Sequence, residues 1–142
     1  VLEDQGKILG VALLNRRPPG LLEYLRYCRP LLGYMRFDRL VRFFSFTEAA
    51  DSVVRKASDF QWFLTVIAVD PEFQHRGIGR LFLERGIEGY IRSHGGGCLA
   101  FITCTPRNAH FYSSAGYRIV GEQSVSLDGN DVPVWSFEKV IE

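Results

Sequence analysis

Apolar and polar positions alternate between two spacings along this chain, and each spacing predicts its own elements. Residues 1–4 and 8–14 are short runs of apolar and β-branched residues separated by Asp4-Gln5-Gly6. That pattern predicts a strand hairpin, with Gly6 supplying the positive φ of the turn. Residues 15–20 (NRRPPG) break the pattern by composition. From 21 to 46 apolar residues recur at steps of three and four: Leu21, Leu25, Cys28, then Leu31, Tyr34, Met35, Leu40, Val41 and Phe44. Helix is expected there, with Pro30 ending one segment or opening the next, because proline lacks an N–H and clashes with the preceding turn. Thr47 is expected to start a separate short helical turn towards Lys56.

The dense apolar run 62–69 ends at Asp70-Pro71. It is too short for a core helix and rich in β-formers, so a buried central strand is expected. Residues 77–94 read as helix with Leu83, Ile87, Tyr90 and Ile91 on one stripe, terminated by Gly95-Gly96-Gly97. Residues 98–105 read as a second buried strand. Residues 108–115 read as a short helix following Pro106, and 117–127 and 132–140 as strands joined at Asp128-Gly129-Asn130. The order β-β-α-α-β-α-β-α-β-β predicts an α/β (α+β) sandwich: a mixed central sheet flanked by helices. There is no internal repeat or low-complexity segment.

Length and composition narrow the picture. The 142 residues suit one domain with one core. A net charge of +1 gives no global electrostatic reason to expect nucleic acid or a membrane as partner. Cys28, Cys98 and Cys104 are an odd set without CxxC spacing, which fits a reducing, cytoplasmic setting better than a disulfide framework. His75, His94 and His110 are scattered, so no metal is expected. No apolar run approaches the length of a membrane-spanning helix.

Candidate chemistry concentrates at 74–80 (QHRGIGR), between the 62–69 strand and the following helix. Gly77 and Gly79 let the backbone approach a ligand closely. A helix N-terminus favours anions, and His75, Arg76 and Arg80 add donors. That is a phosphate site in type. It lacks the Gly-Lys-Ser/Thr of a P-loop, and Phe82 stands where the dinucleotide fingerprint needs its third glycine. Alone, the Gly-x-Gly fits a tight strand-to-helix turn better than a phosphate site.

The wider stretch 67–83 (IAVDPEFQHRGIGRLFL) resembles the central motif of the GCN5-related N-acetyltransferase (GNAT) superfamily, and 108–117 (NAHFYSSAGY) resembles that family's next motif. The resemblance covers residues 62 to the C-terminus, and the opening hairpin with Gly10 is similar to the strand pair preceding the family's core. It implies a single domain at 1–142: a hairpin at 1–14, a helical segment at 21–56 as candidate acceptor-side lid, and an acetyl-CoA-binding core at 62–142. Because Val1 leads straight into strand-like sequence, the family's first strand is expected to be missing or truncated.

The resemblance also implies roles. Ile67, Ala68 and Val69 match a strand that splays from its neighbour and offers backbone groups to the pantetheine arm, one amide polarising the thioester carbonyl. His75, Arg76, Gly77, Ile78, Gly79 and Arg80 match the pyrophosphate loop. Asn108 matches a cofactor-contacting asparagine, with an N-cap as its alternative reading. Tyr112 matches the general acid that protonates the departing thiolate. Some members carry a glutamate on the strand before the asparagine; here 99–105 (LAFITCT) has no carboxylate, which leaves the base to a water chain, Asp59 or Glu48. Asp70 reads as a turn residue. Cys104 has no base beside it in sequence to make it an acyl carrier.

The implied activity is direct transfer of an acetyl group from acetyl-CoA to a primary amine, small-molecule or protein-borne, by a monomer or homodimer. A non-catalytic acyl-CoA-binding module and a nucleotide-phosphate-binding module are the alternatives. In 21–56, arginines 26, 29, 36, 39 and 42 interleave with aromatic residues. A solvated arginine face, an acceptor lid and a basic amphipathic contact all fit that pattern.

Overall fold

The computed structural model describes residues 1–20 and 36–142, together with Leu22, Glu23, Arg26 and Arg29. The strands are β1 (Leu2–Asp4), β2 (Lys7–Asn15), β3 (Trp62–Val69), β4 (Gly97–Thr103), β5 (Arg118–Leu127) and β6 (Asn130–Ile141). They form one mixed sheet in the order β1-β2-β3-β4-β6-β5. Helix α1 (Phe37–Ala57) connects β2 to β3. Helix α2 runs on through three segments, Ile78–Leu81, a π-helical Phe82–Ile87, and Glu88–Ser93. Helix α3 is Pro106–Ser114.

The expected strands and hairpins form where apolar runs meet turn residues. Both hairpin turns pair a non-glycine at positive φ with a following glycine: Gln5-Gly6 and Asp128-Gly129. Two helical expectations need correction. Thr47 does not open a new helix, because its Oγ1 donates back to the Phe43 carbonyl at 2.7 Å and α1 continues to Ala57. Tyr90 leaves the buried stripe of Leu83, Ile87 and Ile91 and is 48% exposed. It lies beyond the π turn, and its ring instead stacks on His94 with centroids 4.0 Å apart. The expected break at Pro30 lies outside the described residues.

The sheet is covered on both faces. On one, α2 and α3 bury Leu83, Ile87, Ile91, Ala109 and Tyr112 against Trp62, Leu64, Leu99, Phe101 and Phe137. On the other, Ala50, Val53 and Val54 of α1 pack against Val125, Val134, Phe63 and Ala100. Such burial stabilises by roughly 25 cal/mol per Å² of apolar surface. No helix among the described residues is long and apolar enough to cross a membrane.

The feature that positions the site is a break in strand pairing. β3 and β4 run parallel and pair only at Trp62↔Leu99 and Phe63↔Ala100. Beyond these, β3 stays with β2 and β4 stays with β6, so the two diverge towards their C-terminal ends. Thr65 is the extra residue of a bulge against β2, between the pairs Leu14↔Leu64 and Leu13↔Val66. Bulges bend a strand and re-aim its side chains.

Candidate functional site

The divergence leaves one edge of β3 without a strand partner. Asp70 N donates to Leu9 O at 2.9 Å, so its backbone faces β2. Backbone groups alternate along a strand, so Ala68 faces β2 as well while Ile67 and Val69 face the gap. The Val69 carbonyl meets a side chain there: Gln74 Nε2 donates to it at 3.0 Å. Of the three strand residues, Ile67 therefore offers an open backbone edge, and Val69 offers its N–H while its carbonyl is held by Gln74.

Between the diverging strands lies a wedge-shaped cleft of 260 Å³. Its strand walls come from Leu64 to Ile67 and from Phe101 to Thr103, and Asn108 and Tyr112 close it from α3. A second cleft of 470 Å³ lies at the start of α2. Val69, His75, Gly77, Gly79, Arg80 and Asn108 line it, together with Gln74, Arg107 and Phe111. Asn108 borders both clefts, so the fold brings most of the expected residues around two clefts that meet at this residue.

The loop between β3 and α2 has a shape suited to an anion. Asp70 Oδ1 accepts from Glu72 N at 2.9 Å and starts a 3₁₀ turn over Pro71–Phe73, which is the turn role expected of it. His75 and Gly77 then adopt left-handed φ of 61° and 79°. Gly77 takes that conformation without strain, and the space where its Cβ would stand is open. The first-turn amides of α2 have no acceptor within the helix. Gly77, Gly79 and Arg80 from that turn line the cleft, where the positive end of the helix dipole favours an anion.

The charged side chains divide. Arg80 lines the cleft while donating to Ser114 O and Oγ and lying 3.7 Å from Glu84. Arg76 is not among the lining residues; its guanidinium sits 5.6 Å from the Phe73 ring centroid. Ile78 is half-buried and does not line the cleft. Arg107, which the sequence motifs do not single out, does line it, with Nη2 3.2 Å from a ring nitrogen of His75. Its one sequence signal is its place in the first turn of α3, one residue before Asn108.

Helix α3 is fixed at its start. Thr105 caps it, Oγ1 accepting from Asn108 N at 3.4 Å, and Pro106 occupies the first turn. With Thr105 as the cap, the Asn108 side chain is left to the clefts. Tyr112, one turn on, is 7% exposed. Its ring packs against Phe101 at 4.4 Å and Phe137 at 5.8 Å between centroids. Its hydroxyl has no hydrogen-bond partner among the described residues. Burial pushes its phenol above the ordinary range, which keeps the proton on it at neutral pH.

The basic candidates from sequence lie elsewhere. Glu48 is ion-paired with Arg55 on the exposed side of α1. Asp59 is exposed and precedes β3, at the end of the sheet away from the wedge. Cys104 packs against the α1 cluster, and burial raises its thiol pKa, so it is a poor nucleophile at neutral pH.

Residues 38–119, more than half of the chain, match the family model described as the acetyltransferase (GNAT) domain. Among solved structures, a mutant agmatine N-acetyltransferase in its apo form is 16% identical, with a TM-score of 0.60 over 97% of this chain and 73% of that one. A Drosophila melanogaster polyamine N-acetyltransferase, which forms N-acetylagmatine, is 17% identical, with a TM-score of 0.60 over 97% and 72%. The Escherichia coli ribosomal-protein-S18-alanine N-acetyltransferase is 22% identical, with a TM-score of 0.49; the match covers 58% of this chain and 59% of that one, less than two thirds of its length. At 16% and 17% identity, the likeness to the agmatine and polyamine N-acetyltransferase structures speaks for the fold alone.

Proposed function

The chain belongs to the GNAT acetyltransferase family, and on that premise we propose that it transfers the acetyl group of acetyl-CoA directly to a primary amine. The observation that carries this reading is the meeting of the two clefts at Asn108, one lined by the glycine loop suited to an anion and the other by Tyr112. The fit to acetyl-CoA is one of chemistry. The first-turn amides of α2, with Gly77, Gly79, His75 and Arg107 around them, suit a pyrophosphate. The open backbone of Ile67 and Val69 suits the amide groups of a pantetheine arm, which can add to the β3 edge as a strand would.

Acetyl-CoA supplies the activated acyl group. The chain's own residues hold it, exclude bulk water from the wedge and move protons. A backbone amide on the open β3 edge stabilises negative charge at the acyl oxygen. Tyr112 Oη gives its proton to the leaving sulfur, as a protonated phenol on a residue that lines the wedge is able to do. Asn108 orients the arm between the clefts.

The acceptor is an amine. Incubating the protein with acetyl-CoA and a panel of primary amines, while following free thiol, tests the proposal. Amine-dependent thiol release supports it. Tight coenzyme A binding with no release across the panel replaces it with a non-catalytic acyl-CoA-binding role.

A further inference from the structure

We infer that Thr103 receives the acceptor amine, its hydroxyl oxygen accepting one N–H of the attacking nitrogen, an assignment that rests on the acetyltransferase reading above. The polar side chains of the residues lining the wedge are those of Thr65, Thr103, Asn108 and Tyr112. Their commitments differ. Thr65 Oγ1 already accepts from Asn15 Nδ2 at 2.7 Å, which ties the bulge of β3 to the end of β2. Asn108 lines both clefts and so serves the arm that joins them. Tyr112 carries the proton for the leaving sulfur. Thr103 lines the wedge and does not line the cleft at the start of α2, which sets it on the acyl side of the site rather than the phosphate side.

Thr103 ends β4, where it pairs with Trp135 of β6. Side chains alternate along a strand, so Thr103 shares the face of Leu99 and Phe101. On that face Ala109 and Tyr112 of α3 pack. Thr103 is 8% exposed, and its hydroxyl has no hydrogen-bond partner among the described residues. A buried hydroxyl left unpaired works against folding, because its lost bonds to water are not replaced. Ser136 gives the contrast. Among the described residues its oxygen is the one buried side-chain polar atom both unpaired and closed off. The Thr103 oxygen, equally unpaired, is therefore reachable, and the space its residue borders is the wedge.

The chemistry of the attack supplies the missing partner. An attacking nitrogen aims its lone pair at the thioester carbon, so its N–H groups need acceptors elsewhere in a site that excludes water. The acyl oxygen needs a donor instead, which the open β3 edge provides. A hydroxyl oxygen has two lone pairs to offer an N–H. None of the described residues lining the wedge carries a carboxylate or an imidazole, so the amine arrives neutral, its ammonium proton left in solvent.

The protons balance. The neutral nitrogen bonds to the carbonyl carbon, the C–S bond breaks, and the sulfur takes the Tyr112 phenol proton. One amine proton stays on nitrogen, held against Thr103 Oγ1, and becomes the N–H of the amide. The other replaces the proton that Tyr112 gave. One amine and one thioester give one amide and one thiol.

The test measures thiol release from acetyl-CoA with benzylamine, agmatine, spermidine and a lysine-containing peptide, for wild type, Thr103→Val and Thr103→Ser. Coenzyme A affinity by calorimetry and the denaturation midpoint are measured alongside. Valine keeps the shape and loses the hydroxyl, whereas serine keeps the hydroxyl. For Thr103→Val we expect kcat/KM for the amine to fall about tenfold or more, with coenzyme A affinity within about twofold of wild type. Its denaturation midpoint should equal or exceed that of wild type, since no bond of the fold is lost. Thr103→Ser should keep kcat/KM within about threefold of wild type. Unchanged kcat/KM in Thr103→Val overturns the assignment. So does a loss of coenzyme A affinity as large as the loss of rate, which would give the hydroxyl to the cofactor instead. If Thr103→Val is too unstable to assay, Thr103→Ser is compared with Thr103→Ala. An advantage of about tenfold for serine supports the assignment, and equal rates overturn it. Wild-type protein that binds coenzyme A yet acetylates none of the four amines rejects the acetyltransferase reading itself, whereas an active wild type matched by Thr103→Val rejects the role of Thr103 alone.

Discussion

The Phe82 ring lies so close to the backbone of Gly86 that a Cβ added there would stand 2.7 Å from Cδ2. The same ring closes on Gly10 of β2 from the other side, at 3.2 Å from its would-be Cβ. Phe82 opens the π turn of α2, so this clamp fixes the helix whose N-terminus faces the 470 Å³ cleft. Gly86→Ala is expected to destabilise the protein by about 1–3 kcal/mol through overpacking. Urea denaturation measures it. Combining Gly86→Ala with Phe82→Leu should recover part of the loss relative to the sum of the single changes; strict additivity of the two would show that the ring and the glycine are not coupled.

Alkaline stability follows from a buried phenol. The Tyr117 hydroxyl donates to Glu88 Oε1 at 2.9 Å, and Lys139 Nζ donates to the same oxygen at 2.8 Å. Burial first, and then the charge of Glu88, raise the Tyr117 pKa. The fold therefore favours the protonated phenol. Its contribution is complete below the unfolded value of about 10 and is lost as pH rises past it, because the unfolded chain ionises first. We expect denaturation midpoints to drop steeply above about pH 10. Tyr117→Phe should cost about 1–2 kcal/mol at pH 7 and fall off less steeply than wild type in alkali. Parallel slopes for the two proteins would remove Tyr117 as the source.

Arg107 and Arg76 make a paired test of the anion-binding cleft. Arg107 lines it beside His75, whereas Arg76 is turned onto Phe73. Arg107→Ala is expected to weaken coenzyme A binding about fivefold to tenfold, with a shallower salt dependence, since a charge-assisted contact to phosphate is lost. Arg76→Ala should leave affinity within twofold. Calorimetric titration at two salt concentrations separates them, and a larger loss from Arg76→Ala would reverse the placement.

Much of the fold is legible in the sequence, for identifiable reasons. β3 and β4 are dense apolar runs closed by Asp70-Pro71 and Pro106, so their existence needs only local rules. The loop at 74–80 reads as an anion site from its glycines and its place ahead of a helix. Thr47 misleads because a threonine ahead of alanines looks like a cap, and only its bond to the Phe43 carbonyl shows it to be mid-helix. Arg107 has only its place before Asn108 to mark it in sequence, because its direction depends on how Thr105 caps α3.

Tyr112 offers the cleanest separation of chemistry from structure. Its ring is part of the aromatic core with Phe101, Phe137 and Tyr117, so truncation to alanine would confound the two roles. Tyr112 lines the wedge and its hydroxyl bonds to none of the described residues, so Tyr112→Phe removes the proton while leaving every ring contact in place. The denaturation midpoint and the coenzyme A affinity should therefore match wild type closely. If the phenol protonates the leaving sulfur, kcat should fall by about 100-fold or more, the usual weight of general acid catalysis. KM for the amine should change little, because the lost interaction belongs to the transition state rather than to binding. Turnover equal to wild type would mean that the sulfur leaves unprotonated, or takes its proton from water, and that the Tyr112 hydroxyl plays no part in the transfer.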